Sequence, residues 1–230
     1  MQENSLSTLF EHPPTGLILM DQPSDETMQF LSSRIKHIVG IDSRQPAIDN
    51  VGYDRFEAGC RAMRYLLEKG HKKIAYIGAH LSKDMLNIGR YEAYMRMMMH
   101  AGLEINPAWV VDSEWRRGVC YDKTIELMKC NDRPTAILVG SDHMAIAAVS
   151  ALHSLGISIP GEISVIGISD IEDAKYLTPP LTTIAIPQME IGEIAANMLI
   201  QRIKGDTSLP KRVIVPTELV ERQSVAPPLS

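Results

Sequence analysis

The sequence predicts an α/β fold built on parallel sheets, and three observations carry that prediction. Short apolar runs alternate with longer amphipathic stretches. The runs are too apolar to leave one sheet face in water, so helices must cover both faces. Glycines close several of the amphipathic stretches, as helix C-caps require. Repetition of this kind also calls for right-handed crossovers.

Taken in order, residues 15–20 (TGLILM) read as a buried strand. Residues 24–33 follow as a helix, with Asp25 and Glu26 favouring its first turn. A second strand covers 37–41, with Asp42 at its C-terminal end. The clearest helix runs from Arg55 to Lys69, where Phe56, Gly59, Met63, Leu66 and Leu67 recur near helical spacing. Gly70 ends it, because a residue without Cβ enters the left-handed C-cap freely. Strands are then predicted at 73–78, 109–111, 135–139 and 163–168, and helices at 89–100, 118–129 and 142–155. In the tail, a strand at 183–186 precedes a helix over 189–203, whose Ile191, Ile194, Ala195, Met198 and Leu199 form one stripe. A last strand is predicted over 212–220, with Pro216 suited to an edge or a break. The front of the chain offers only two strands, too few for a stable sheet. Either segment 183–204 completes it or preceding residues are missing.

Composition excludes several classes. The chain has 230 residues, a hydrophobic fraction of 45% and a formal charge of −5. That is room for one large domain or two lobes, and a poor balance for stand-alone nucleic-acid binding. Neither a signal peptide nor a membrane-length apolar run is visible, which with three unpaired-looking cysteines (Cys60, Cys120 and Cys130) predicts a cytoplasmic setting. The seven histidines and three cysteines show no zinc spacing. Met97, Met98 and Met99 read as core packing on one helix. No phosphate-binding glycine loop occurs. Ser141-Asp142-His143 cannot act as a triad, since three consecutive residues at a helix start do not converge on one reacting carbon. No enzyme activity and no cofactor or metal are therefore expected.

The ordered segments VGYDRFEAG (51–59), YLLEKGHKKIAYIG (65–78), Arg90-x-x-Ala93-Tyr94, PTAILVGSDHMAIAAVSALHSLGISIPGEISVIGISDI (134–171), PPLTTI (179–184) and VPTELVERQS (215–224) carry a resemblance. Together they resemble the ligand-binding core of the lactose/galactose repressor (LacI/GalR) family, closest to its galactose- and galactoside-responsive members. The resemblance implies a two-lobed, periplasmic-binding-protein-like core with the effector held between the lobes. On this numbering one lobe would be 1–53 plus 185–208, and the other 54–184 plus 209–225. It further implies a homodimer and operator DNA bound through an N-terminal helix-turn-helix head. Residues 1–14 hold no such head, so the chain is expected to start within the first lobe, truncated at its N-terminus. The implied function is allosteric coupling of sugar binding to operator affinity by a repressor. The rival is a periplasmic-type sugar receptor of a transporter.

Ligands of open α/β sheets meet the C-terminal ends of parallel strands, and the resemblance places its candidates there. Asp42 would accept from sugar hydroxyls, or else cap a turn. Tyr53 would lay its ring on ligand carbons, or pack a crossing segment. Arg90 offers a rigid fork of donors, against the alternative of a solvated helix arginine. Trp115 could cover a ring or fill the core. Ser141 stands where relatives carry an amide. Asp142 is a candidate contact that more readily reads as a helix N-cap. Ser169 stands where the family usually carries Asp or Asn, so the pocket is not a copy of the lactose repressor's. Asp170 would shape the loop beside it.

Overall fold

The computed structural model describes residues 13–20, 23–78 and 88–229. His12 and His80 lie outside these residues, as does nearly all of segment 1–14. In chain order the elements are β1 (Gly16–Met20), α1 (Asp25–Ser32), β2 (His37–Ile41), β3 (Asp49–Gly52), α2 (Arg55–Glu68), β4 (Ile74–Gly78) and α3 (Ile88–His100). Next come β5 (Val110–Asp112), α4 (Arg117–Met128), β6 (Ala136–Val139), α5 (Asp142–Ser154) and β7 (Ser164–Ser169). The tail adds β8 (Thr182–Ala185), α6 (Gln188–Ile203), β9 (Arg212–Ile214) and β10 (Glu218–Val220). Contacts divide the chain into two units: the described residues of Met1–Tyr53 with Pro187–Pro216, and those of Asp54–Ile186 with Thr217–Ser230.

The first unit is a parallel sheet in the order β1-β2-β3-β9. Side chains alternate across a strand, so Leu17, Leu19 and Ile38 share one face. Met28 and Leu31 of α1 pack there. Helix α6 lies over the other face, where a Cβ added to Gly16 would sit 2.7 Å from Leu199 Cδ1. Strand β3 escapes the sequence reading because Asp-Asn-Val-Gly carries one large apolar residue, yet all four positions are buried. A second surprise is a buried ion pair. Arg202 of α6 sends Nε and Nη2 to the two Asp49 oxygens at 2.7 and 2.8 Å. Its remaining donors reach the carbonyls of Asp206, Ser208 and Leu209, and Lys211 N donates to Asp49 Oδ1. One guanidinium thus ties α6, the loop after it and β3 together, and it holds the Asp49 carboxyl below the usual range.

The expected single strand over 212–220 is corrected to two. β9 pairs with β3 in the first unit and β10 pairs antiparallel with β8 in the second. Proline at 216, lacking a donor, falls between them. Residues 209–216 consequently group with the first unit, not with the second lobe where 209–225 were expected, because hydrogen bonds from Asn50 N to Lys211 O and Val215 N to Gly52 O hold them there.

The second unit carries a six-stranded sheet, β10-β8-β7-β6-β4-β5, parallel except for the β10–β8 edge. Ala75, Ile77, Ile137, Val139 and Val165 turn to one face and form a core with Cys120 and Leu127 of α4 and Met144, Ala148 and Leu152 of α5. On the other face, Tyr76 packs against Tyr91 and Tyr94 of α3. Helix α2 opens with Asp54 accepting from the amides of Phe56 and Glu57. It closes as expected, with Gly70 at φ +94°, His71 N on Leu66 O and Gly70 N on Leu67 O. Of the three consecutive methionines only Met98 is core, since Met99 is 69% exposed. Cys60 and Cys120 are buried and Cys130 is half-buried. No helix among the described residues is long and apolar enough to cross a membrane.

Candidate functional site

Left-handed backbone marks the strand ends. Among the described residues the non-glycine positions with positive φ are Asp42 (57°), Glu114 (51°), Trp115 (52°), Ser169 (141°) and Asp170 (53°). Each follows, or ends, a parallel strand at its C-terminus: β2, β5 and β7. Such conformations cost about 1–3 kcal/mol apiece and gather where a ligand must be met. Four of the eight sequence candidates are in this set.

In the first unit the structure brings Asp42 and Tyr53 together, at the ends of the adjacent strands β2 and β3. Tyr53 N donates to Asp42 Oδ1 at 3.4 Å, and Asp42 N donates to Val51 O. A side chain at Gly52 would place its Cβ 2.2 Å from Asp42 Oδ1, so glycine there is what lets the carboxylate lie across the strand. Tyr53 is buried and Asp42 half-buried. A cavity of about 450 Å³ lies elsewhere in this unit, lined by His37 and Asp49 at the N-terminal ends of the same strands. It involves neither candidate.

In the second unit Arg90, Trp115 and Ser141 lie close to one glycine. Arg90, on α3 and 6% exposed, donates from Nη1 to Gly140 O at 2.5 Å. Its guanidinium carbon stands 5.9 Å from the Trp115 ring centre. This excludes the solvated-arginine reading. Ser141 follows Gly140 as the N-cap of α5, half-buried, its hydroxyl making no capping bond.

Asp142 is not the N-cap that its position suggests; Ser141 takes that place. The Asp142 carboxylate turns inward instead, accepting from Thr183 Oγ1 at 2.7 Å and from Ile171 N at 3.2 Å. It is fully buried. Burial pushes its carboxyl above the ordinary range, with Thr183 and the backbone donors offsetting part of the shift. Its bonds pin the starts of α5, β8 and the loop after β7 to one another. Asp170 accepts from Arg222 Nη2 at 2.6 Å, so it also holds the loop. Ser169, between them, is half-buried, and its carbonyl accepts from Ile186 N.

Two residues that sequence reasoning missed belong to the same neighbourhood. Ser113 follows β5 with its N donating to Gly78 O, and its buried Oγ has no partner among the described residues. Tyr76, in β4, is buried with an unpartnered Oη, and burial keeps its phenol protonated far above the usual range. Trp115 Nε1 is a third buried donor without a partner. An unsatisfied buried donor costs about 1–3 kcal/mol, and three of them lie near one set of strand ends. A strand tyrosine and a serine after Asp112 carry no periodicity signal that would reveal this. No group of three or more His, Cys, Asp or Glu among the described residues could hold a metal.

Fold and strand ends together define a ligand-binding core of the periplasmic-binding type. The family described as Periplasmic binding protein-like domain matches residues 63–225. The HTH-type transcriptional repressor PurR of Escherichia coli O1:K1 / APEC is 31% identical over 230 residues, covering 98% of this chain and 67% of that protein. A LacI family transcriptional regulator from Enterococcus faecium, solved with bound ribose, matches at TM-score 0.88 and 24% identity, over 96% of this chain and 84% of that one. The transcriptional regulator CelR in complex with cellobiose matches at TM-score 0.85 and 25% identity, over 96% of this chain and 69% of that one. The chain belongs to the LacI/GalR family of transcriptional regulators. It carries that family's effector-binding core, the core of a regulator and not of an enzyme.

Proposed function

We propose that the chain senses a sugar for a DNA-binding repressor and that the sugar acts as an inducer, a galactose-like sugar or galactoside being the expected effector. The observation that carries this is the left-handed backbone at the strand ends, Trp115 and Ser169 above all, with the unpartnered side-chain donors beside it. Hydroxyl-rich ligands need such convergent donors and acceptors together with an aromatic face. Bound ribose and cellobiose in the two solved relatives support the same class. In this reading Asp42, Tyr53, Arg90, Trp115, Ser141 and Ser169 contact the effector. Asp142 and Asp170 shape the loops that present the others, and Ile186 adds an apolar wall.

Effector binding favours one conformation of the protein over another, and operator affinity changes only by the difference in effector affinity between the two. The DNA contact is made by an N-terminal helix-turn-helix head acting in a homodimer. Calorimetric titration of the chain with D-galactose, D-ribose and cellobiose tests the proposal. Binding of at least one sugar, lost in Arg90→Ala, is expected. Tight binding of a purine or an amino acid with no heat from any sugar would overturn it.

A further inference from the structure

The Tyr76 hydroxyl has no role in the folded chain that a phenylalanine would not fill better. Its ring is fully buried, 5.6 Å from the ring centres of both Tyr91 and Tyr94. Packing of that kind needs the ring and not the oxygen. The oxygen is nonetheless carried to the C-terminal ends of β4 and β6. A Cβ built on Gly78 would stand 2.5 Å from Oη, and one built on Gly140 would stand 3.3 Å from it. The same Gly140 position is 3.2 Å from the Trp115 ring, and Gly140 O accepts from Arg90. The two glycines, lacking Cβ, thus make the room that the hydroxyl occupies, beside the candidate contact residues Arg90 and Trp115. Among the described residues the oxygen has no hydrogen-bond partner, and neither do the neighbouring Ser113 Oγ and Trp115 Nε1.

We propose that Tyr76 is a specificity-determining residue whose hydroxyl donates a hydrogen bond to an oxygen of the effector between Gly78 and Gly140, an assignment that rests on the sugar-sensing reading above. A donor buried without a partner destabilises the unliganded protein and is released from that penalty when an acceptor arrives. Stability and affinity then move in opposite directions on removal of one atom. A residue needed only for packing would lower both.

Tyr76→Phe provides the test, in thermal melts without ligand and in calorimetric titrations with D-ribose, D-galactose and cellobiose. The expected result is an unchanged or raised melting temperature together with about tenfold weaker sugar binding. A deoxy analogue of the bound sugar that lacks the contacted hydroxyl should bind wild type and Tyr76→Phe equally. Equal affinity of the two proteins for the parent sugar overturns the proposal, as does a lowered melting temperature with uniform loss across all deoxy analogues. Sugar binding abolished by Arg90→Ala but untouched by Tyr76→Phe sinks this assignment alone. No binding of any of the three sugars to wild type removes the sugar-sensing reading and this one with it.

Discussion

Asp49 in the first unit and Asp142 in the second are both buried carboxylates, and they are held in opposite ways. Asp49 faces a guanidinium across two short bonds, and its side chain is 3% exposed. Asp142 meets the Thr183 hydroxyl and the Ile171 backbone amide. The first keeps its charge easily, its carboxyl lying below the usual range, while burial lifts the second above it. The difference follows from the groups within reach. Arg202 of the overlying helix α6 reaches Asp49 at the start of β3, so a cation fixes that carboxylate. Asp142 lies in the apolar interior of the six-stranded unit, where a hydroxyl and a backbone amide hold it.

Substitutions that strike at each unit's support should separate the two designs. In the second unit Ile137→Ala removes a fully buried side chain from the apolar core and should destabilise it by about 4 kcal/mol. Trp109 and Trp115 both lie in that unit, so urea unfolding followed by tryptophan fluorescence reads it selectively. In the first unit Arg202→Ala strands the Asp49 charge. The expected loss is about 3 kcal/mol, at the low end for a broken buried pair because the arginine side chain is 15% exposed. Hydrogen exchange of the β3 amides should accelerate while β6 is unchanged; equal acceleration in both would break the comparison.

Acid sharpens it further. His71 is buried between Thr135 Oγ1 and Ala226 O, and burial lowers its pKa below the ordinary value. Its stabilising share is full above the unfolded value near 6.5 and is lost as pH falls through the folded one, with a slope of at most about 1.4 kcal/mol per pH unit. Unfolding midpoints of the second unit should therefore drop between pH 7 and pH 5, and His71→Gln should flatten that slope. Asp49 behaves in the same sense at far lower pH: its contribution persists above about 3.9 and disappears below it. Asp142 runs the other way, since its ionisation penalty grows as pH rises above that value. The smallest effect belongs to Asp170→Asn. That carboxylate is 25% exposed, so losing its charge against Arg222 should cost about 1 kcal/mol or less in the same urea assay.

Helices were the most legible part of this chain, because their evidence is local. The stripe and glycine at 55–70 mark α2 to within a residue at each end, and the same signals mark α5 and α6. Strands were legible only where several apolar residues stand in a row. Hence β3, with Val51 alone, went unseen, and β9 was merged with β10 across Pro216. The site was half legible. Asp42 and Trp115 follow strand ends as their positions suggested, and Arg90 opens a helix whose guanidinium reaches Gly140, whereas the inward turn of Asp142 and the unpartnered oxygens of Tyr76 and Ser113 were not foreseeable.

From its residues alone this protein had its α/β class, its helix ends and its family determined, since each depends on neighbours a few positions apart or on motifs in a fixed order. Only the folded chain decided that β9 joins β3, that Arg202 claims Asp49 from 153 positions away, and that three donors at the ends of β4 and β5 lack acceptors. Those outcomes depend on which distant groups meet and where each side chain points. A side chain's partner is a property of the space around it, and no local pattern records it.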